Sequence, residues 1–202
     1  MSSGAEPVTR RSSPVTGVVL AGGQGRRMGG VDKGLKVLRG KPMVLLVIER
    51  FTPQVDEVLV NANQNLETYN GFGYRVIPDV IGGYAGPLAG LHRGLSEARH
   101  DLVATVPCDS PFLPADLVSR LLSALHAAGA ELAVARTGDQ AHPVFCLCRK
   151  SVLPGLTAFL AGGGRKIDAW YSALNVVEER FDDEPDGFSN INTETELRGF
   201  ER

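Results

Sequence analysis

Glycine and positive charge are concentrated in one stretch of the chain, VVLAGGQGRRMGGVDKG at residues 18–34. The apolar run at its start is followed by five glycines within nine positions, 22–30. Two arginines and a lysine lie within eight positions, 26–33. Glycine lets backbone N–H groups turn toward an anion, and the side chains of Arg27 and Lys33 add mobile positive charge. Such a loop, directly after a buried strand, indicates a triphosphate-binding site. The alternative is a loop of tight turns whose cations only face water.

Spacing excludes two common phosphate-binding loops. A dinucleotide fingerprint G-x-G-x-x-G placed in this stretch has Met28 where its third glycine belongs. A Walker A loop needs a glycine before its lysine and Ser or Thr after it, whereas Asp32 precedes Lys33 and Gly34 follows it. The stretch therefore indicates a longer phosphate loop of a different class.

Composition narrows the class of protein. At 202 residues the chain suits one domain, and its formal net charge of −2 provides no basic field for gripping nucleic acid. No stretch has the run of about 18 apolar residues that a membrane span needs. Three cysteines are too few for a disulfide framework, which favours a reducing cytoplasm. We predict a disordered polar tail over residues 1–14 and a single domain over residues 15–202.

Short β-branched runs alternate with helix-period stretches along the chain. Strands are predicted over 16–21, 57–61, 74–78 and 102–107, and helices over 41–51, 87–98 and 114–129. This repetition implies an α/β fold, a Rossmann-like three-layer sandwich with a mostly parallel central sheet. Later in the chain, two strands are predicted over 131–136 and 142–148, joined as a hairpin around Gly138, and a helix is predicted over 151–163. Thr193 and Glu196 form a capping box that opens a last short helix.

In a parallel sheet of this kind, ligands bind beyond the carboxyl ends of the strands. Glycines and polar residues come directly after or at the ends of the predicted strands: Gly22, Gly23, Asn61, Asp79 and Asp109. Although far apart in the chain, these residues should meet at one edge of the sheet. Asn61 and Asp79 are also residue types that favour strand ends and turns, so a structural role for either stays open at this point.

The stretch LAGGQGRRMGGVDKGL is similar to the glycine-rich signature of molybdenum cofactor guanylyltransferases, within the larger nucleotidyltransferase superfamily. Further matches follow in order: VNAN (60–63), PDVIGGYAGPLAGL (78–91), PCDSPFLP (107–114), HPV (142–144) and NINTETEL (190–197). The resemblance extends from Thr16 to the end of the sequence. It implies that GTP and molybdopterin, or molybdenum-molybdopterin, give the guanine dinucleotide cofactor and pyrophosphate. The terminal phosphate of the cofactor would attack the α-phosphorus of GTP in line, without a covalent enzyme intermediate.

The resemblance also implies roles for individual residues. Lys33 is the expected phosphate-binding and catalytic cation, with Arg27 as its helper by chemistry. Asp109 is the expected catalytic carboxylate and ligand of Mg²⁺, a cation that takes one or two carboxylates with phosphate oxygens and waters. Asn190 and Asn192 complete this neighbourhood, touch the second substrate, or only form a turn. The remaining nucleotide contacts are expected at Leu20, Ala21, Gly22, Gly23, Asn61 and Asp79.

No residue is assigned to the pterin substrate. Arg165 and Lys166 lie beside three glycines, where they can receive a second anion or simply face water. His142 can face the cleft. The other histidines lie on or near predicted helices and are expected at the surface: His92, His100 and His126.

Two alternatives to guanylyl transfer stay open. A cytidylyltransferase acting on the same cofactor is expected to carry L-A-A-G in the first loop, where this chain has Gly22 and Gly23. A catalytically silent nucleotide-binding regulator could lose Lys33 or Asp109, and both are present. The expected partners are GTP, the molybdopterin substrate, and proteins that deliver molybdopterin or receive the finished cofactor. Neither nucleic acid nor a membrane is expected.

Overall fold

The computed structural model describes residues 13–23, 32–82, 86–191 and 196. Its strands are β1 (Val15–Leu20), β2 (Val37–Leu38), β3 (Lys41–Pro42), β4 (Glu57–Asn61), β5 (Arg75–Val76), β6 (Leu102–Pro107), β7 (Leu132–Thr137), β8 (Gln140–Arg149) and β9 (Val176–Arg180). Its α-helices are α1 (Met43–Phe51), α2 (Leu66–Asn70), α3 (Pro87–Glu97), α4 (Leu117–Ala127), α5 (Leu153–Ala161) and α6 (Ile167–Tyr171). Short 3₁₀ turns cover Lys33–Leu35, Thr52–Gln54, Lys150–Val152 and Pro185–Phe188. None of the helices in this part of the chain has the length and apolarity that crossing a bilayer requires.

Seven strands form one central sheet in the order β5–β4–β1–β6–β8–β7–β9. β1 pairs in parallel with β4 on one side and with β6 on the other. Among the described strands of this sheet, only β8 runs against its neighbours, and β9 pairs in parallel with β7 at the far edge. The sheet is therefore mostly parallel, which confirms the prediction from alternating strands and helices.

Helices cover both faces of the sheet. On β1, Val15 and Val19 pack in the cluster that contains α1 and α4, while Val18 packs in the cluster that contains α3, α5 and α6. All three side chains are fully buried, because a central parallel strand has an apolar layer on each side. The predicted three-layer sandwich is confirmed.

The hairpin between β7 and β8 turns at Gly138. Thr137 pairs with Gln140, so Gly138 and Asp139 form the turn, and Gly138 has a φ of +51° in the left-handed region that favours glycine. The predicted hairpin is confirmed, although β8 begins at Gln140 rather than at His142.

Some predicted boundaries were wrong for identifiable reasons. The helix predicted from Lys41 begins at Met43, because Lys41–Pro42 pairs with Val37–Leu38 in a separate antiparallel hairpin. The strand predicted over 74–78 shrinks to Arg75–Val76, an edge strand with one paired neighbour. The helices predicted over 114–129 and 151–163 are shorter at both ends, being α4 and α5, and a 3₁₀ turn precedes α5.

Besides the β2–β3 hairpin, three of the described strands and α-helices were not predicted: α2, α6 and β9. The two helices have five residues each, too few to show a helical period. The sequence of β9, VVEER, is only partly buried at the edge of the sheet, so it lacks the apolar run of a central strand. The position of β9 follows from its pairing with β7, which no local pattern encodes.

The prediction that His92 lies at the surface was wrong, whereas His126 is exposed as expected. His92 is 8% exposed because α3 packs against α5, where its Nε2 atom lies 3.0 Å from Thr157 Oγ1. Burial is the main factor that lowers the pKa of His92, so its imidazole is neutral in this helix–helix contact.

Two further predictions fall at least partly outside the described residues. The tail was predicted over residues 1–14, of which only Ser13 and Pro14 are described. Thr193 of the capping box is also outside them, and Glu196 is helical.

Candidate functional site

Three neighbouring strands end together. Leu20 on β1 is in register with Asn61 on β4 and with Pro107 on β6. The pairing continues one residue further, since the N–H of Ala21 donates to the Asn61 carbonyl at 2.7 Å and that of Cys108 to the Leu20 carbonyl at 3.1 Å. This is the edge at which parallel sheets bind ligands. We call it the strand-end rim, and it comprises residues 20–23, 61–63 and 108–110.

Asp79 is held at the rim by two amide side chains. The Nδ2 atom of Asn61 donates to Asp79 Oδ1 at 2.8 Å and to the Ile77 carbonyl at 2.9 Å. Asn63 and Asp79 form a reciprocal pair, in which Asn63 Nδ2 donates to Asp79 Oδ2 and Asn63 Oδ1 accepts from the Asp79 N–H, both at 2.8 Å. Because each carboxylate oxygen has an amide donor, the carboxylate is fixed in one orientation. Sequence reasoning missed Asn63, although the Asn-x-Asn spacing at a strand end was a usable signal.

Two glycines let the backbone approach these amides. A Cβ atom at Gly22 would lie 2.7 Å from Asn63 Nδ2. A Cβ atom at Gly90 on α3 would lie 2.4 Å from Asn61 Oδ1 and 2.7 Å from Leu20 Cδ2. Real Cβ atoms do not approach so closely, so helix α3 and the first loop pack against the rim only because both positions are glycine.

Gly90→Ala is expected to destabilise the fold by about 1–3 kcal/mol, because the new methyl group must displace Asn61 or shift α3. Gly155→Ala on α5 is a matched control: a Cβ atom there meets nothing within 4 Å, and the substitution should add up to about 1 kcal/mol of stability. Urea unfolding measures both free energies. A Gly90→Ala variant as stable as the wild type would contradict this packing argument.

Lys33 and Asp109 form an ion pair at the rim, with Nζ 3.2 Å from Oδ2. Lys33 begins the 3₁₀ turn Lys33–Leu35, and Asp109 follows the end of β6. Asp109 is 8% exposed, and its backbone carbonyl accepts from the Ile191 N–H at 2.9 Å. A cation and a carboxylate from positions 76 residues apart are thus held together beside the ends of β1 and β6.

Asn190 lies next to Asp109 through the intervening Ser110. The buried Ser110 hydroxyl donates to Asn190 Oδ1 at 2.6 Å. The structure therefore brings Asn190 to the rim, and its role there stays a prediction. Arg27 and Asn192 lie outside the described residues, so their roles stay predictions.

The Cys108 thiol packs beneath this site. Burial is the main factor that raises the pKa of Cys108, and the neighbouring Asp109 carboxylate raises it further. The thiol therefore stays protonated at physiological pH, a state in which it is neither a good nucleophile nor a metal ligand.

The donor chemistry at Asp109 fits Mg²⁺. Its hard carboxylate oxygens are the ligand type that this cation prefers, and Mg²⁺ completes its shell with phosphate oxygens and waters. Within the described ranges, no group of three or more His, Cys, Asp or Glu side chains is placed to hold a metal ion. A metal ion at Asp109 would therefore take further ligands from the phosphates of a bound nucleotide.

A cleft of about 580 Å³ borders the rim. Pro107 and Asn190 line it from the rim side, and His142 and Phe188 line it from the later half of the chain. His142 stacks on Phe188 with ring centroids 4.6 Å apart, and its Nε2 atom lies 2.7 Å from Thr137 Oγ1. Burial lowers the pKa of His142, so the ring is neutral at pH 7. His142 thus lines this cleft, as expected.

Arg165 has a structural use. Its Nη1 atom donates to the carbonyls of Leu160 at 3.0 Å and Gly164 at 2.7 Å, which satisfies backbone groups at the end of α5. The side chain is otherwise exposed, so both alternatives for Arg165, an anion ligand or a cation that faces water, stay open.

The fold and the rim define a nucleotidyltransferase: residues 17–176 match the MobA-like NTP transferase domain. The molybdenum cofactor guanylyltransferase of Cupriavidus pinatubonensis is 50% identical over 192 residues, which cover 93% of this chain and 96% of that protein. That of Shewanella putrefaciens is 48% identical over 186 residues, covering 92% and 95%. The chain belongs to the molybdenum cofactor guanylyltransferases, within the MobA-like NTP transferase family.

A solved structure agrees with this assignment. The crystal structure of molybdopterin-guanine dinucleotide biosynthesis protein A from Archaeoglobus fulgidus superposes with a TM-score of 0.77 at 26% identity. The match covers 92% of this chain and 96% of the other. The likeness therefore extends over both halves of the sheet and is not confined to the nucleotide-binding loop.

Proposed function

We propose that this chain transfers GMP from GTP to the terminal phosphate of molybdopterin, or of molybdenum-molybdopterin, and releases pyrophosphate. The observation that carries the proposal is the Lys33–Asp109 pair, 3.2 Å apart at the strand-end rim. A cation and a carboxylate fixed side by side suit a reaction in which negative charge moves between phosphates. The names of the relatives support the choice of GTP and the pterin as substrates.

In this proposal the nucleotide lies along the rim. Its phosphates bind main-chain N–H groups after β1, at Gly22 and Gly23, and the backbone of Leu20 and Ala21 lies against the nucleotide. Asn61 and Asp79 receive the base or the ribose, because a fixed carboxylate accepts from guanine N–H groups or from a sugar hydroxyl. Asn63 supports them by holding Asp79, whose carboxylate it contacts at 2.8 Å.

The transfer step follows from the placement of the charges. An oxygen of the acceptor phosphate forms a bond to the α-phosphorus as the bond to the bridging oxygen breaks, and the electron pair leaves with pyrophosphate. Lys33 offsets the charge that develops on the transferring phosphoryl group, with Arg27 as a second cation. Asp109 would hold Mg²⁺, which would supply further charge neutralisation for the phosphates when bound. The chain contributes positioning and electrostatics, with no covalent intermediate.

The acceptor enters from the cleft beside Asp109. Asn190, tied to the rim through Ser110, stands where the cleft meets the nucleotide, and Asn192 is proposed to act with it. The reaction is placed in the cytoplasm, in keeping with three free and buried cysteines. Proteins that deliver molybdopterin and that receive the product are the further partners expected in this scheme.

Base selectivity tests the proposal. With GTP and CTP at equal concentration, we expect the guanine product to exceed the cytosine product by at least about 10²-fold, because fixed hydrogen-bonding groups reject a base whose donors do not match them. Incubation with Mg²⁺ and purified molybdopterin, followed by mass spectrometry of the dinucleotide, measures the ratio. A preference for CTP would assign the chain to the cytidylyl alternative. Nucleotide binding without any transfer would favour the silent regulator.

A further inference from the structure

The carboxylate of Asp32, directly before Lys33, accepts three hydrogen bonds. Its Oδ1 atom accepts from the Gly34 N–H at 3.1 Å and from the Tyr69 hydroxyl at 2.7 Å, and its Oδ2 atom accepts from Asn65 Nδ2 at 3.1 Å. The first bond caps the 3₁₀ turn that carries Lys33. The other two tie this turn to Asn65, which directly precedes α2, and to Tyr69 on the buried side of α2. One carboxylate thereby joins the lysine turn to a separate helix.

The Tyr69 donor is itself held in place. Tyr69 is completely buried, with the edge of its ring against Phe72 at a centroid distance of 6.0 Å. Burial raises the pKa of Tyr69, so its hydroxyl keeps its proton and donates across the physiological pH range. Asn65 is exposed, and its φ of +51° lies in the left-handed region, in which asparagine is enriched. The contact between the Tyr69 hydroxyl and the Asp32 carboxylate, which we call the anchor, is therefore fixed by the core on its Tyr69 side.

The lysine turn also rests directly on the anchor. A Cβ atom at Gly34 would lie 2.6 Å from the Tyr69 hydroxyl oxygen and 3.3 Å from Cys108 Sγ. Cys108 directly precedes Asp109. The backbone at Gly34 therefore lies against the Tyr69 hydroxyl and also against the strand end that carries the Asp109 carboxylate. A change at the Tyr69–Asp32 contact must therefore shift Lys33 relative to Asp109.

We propose that Tyr69 and Asp32 are positioning residues for GMP transfer: the Tyr69 hydroxyl holds the Asp32 carboxylate, and this contact sets the place of the Lys33 ammonium group opposite Asp109. The inference rests on the proposed function, in which Lys33 stabilises charge on the transferring phosphate. Both residues act through Lys33. Displacement of such a group by about 1 Å can cost on the order of 10²-fold in rate.

Tyr69→Phe removes the hydroxyl and keeps the buried ring. We expect kcat to fall about tenfold with little change in KM for GTP, because the loss concerns a group that acts in the transition state. Hydrogen exchange at the Gly34 amide should become faster in the variant, and this readout is independent of turnover. Tyr74→Phe is the matched control, since Tyr74 packs half-buried against the same apolar cluster away from Asp32, and its kcat should not change.

A double-mutant cycle separates positioning from a general loss of structure. In a Lys33→Ala background, Tyr69→Phe should change kcat by less than about twofold, because the group that it positions is already gone. Losses that multiply across the cycle, or a Tyr69→Phe variant with wild-type kcat, would overturn the inference and leave the proposed function intact. Unchanged exchange at Gly34 would overturn it as well. A wild-type chain that makes no product from GTP would instead refute the proposed function, and with it the catalytic part of this inference.

Discussion

Replacement of Lys33 by alanine is expected to lower kcat for GMP transfer by about 10²- to 10³-fold. The Lys33 ammonium is held 3.2 Å from Asp109 at the rim, so it is in place before charge develops on the phosphate. Loss of such a preorganised cation raises the barrier far more than it weakens ground-state binding, since other contacts to the nucleotide remain. The rate of pyrophosphate release at saturating GTP and molybdopterin measures the effect.

Lys41→Ala is the control for the loss of a lysine as such. Lys41 pairs with Glu49 at 2.6 Å on the surface of the small hairpin, and its removal should leave kcat unchanged. Near-equal rates for the wild type and Lys33→Ala would remove Lys33 from the transfer step. Circular dichroism and urea unfolding of the variant establish that the chain is still folded when the rates are compared.

Asp109→Asn is expected to lower kcat by about 10³-fold in the presence of Mg²⁺. The substitution keeps the size of the side chain but removes the charge that holds the metal and pairs with Lys33. Pyrophosphate release should be measured over a range of Mg²⁺ concentrations, because a weakened site would recover part of its activity at high metal. An amide also removes the charge that attracts the Lys33 ammonium group to this position, so both effects act in the same direction.

Asp116→Asn provides the comparison for Asp109→Asn. Asp116 lies just before α4, half-exposed and 3.8 Å from Arg120, and its neutralisation should change kcat by less than about twofold. Should Asp109→Asn turn over GTP at the wild-type rate with the same Mg²⁺ dependence, the metal site would have to lie elsewhere.

The framework of the rim was predictable from the sequence. Central parallel strands bury both faces, so β4 and β6 appear as continuous apolar runs, and their bounds are those predicted, while β1 begins at Val15 rather than Thr16. Because the carboxyl ends of such strands share one edge, the meeting of Asn61 with Asp79 near Gly22 followed from their order in the chain.

The contacts that fix the side chains were not predictable in this way. Asn63 binds Asp79 across 16 positions, and Tyr69 binds Asp32 across 37. Neither pair produces a local sequence pattern, since α2 is too short to show a helical period and Asp32 is a residue type common in loops. The burial of His92 escaped notice for the same reason, because it depends on the packing of α5 against α3.

By itself, the sequence determined the class of fold and the family and predicted a phosphate-type loop, because burial periodicity, glycine content and motif spacing act over a few residues and can be seen along the chain. Only the tertiary structure decided that Lys33 lies against Asp109, that the Asp79 carboxylate is clamped from both sides, and that the lysine turn rests on a buried tyrosine. Those outcomes depend on strand register and helix packing, and these bring together groups whose separation along the chain carries no information about their distance in space.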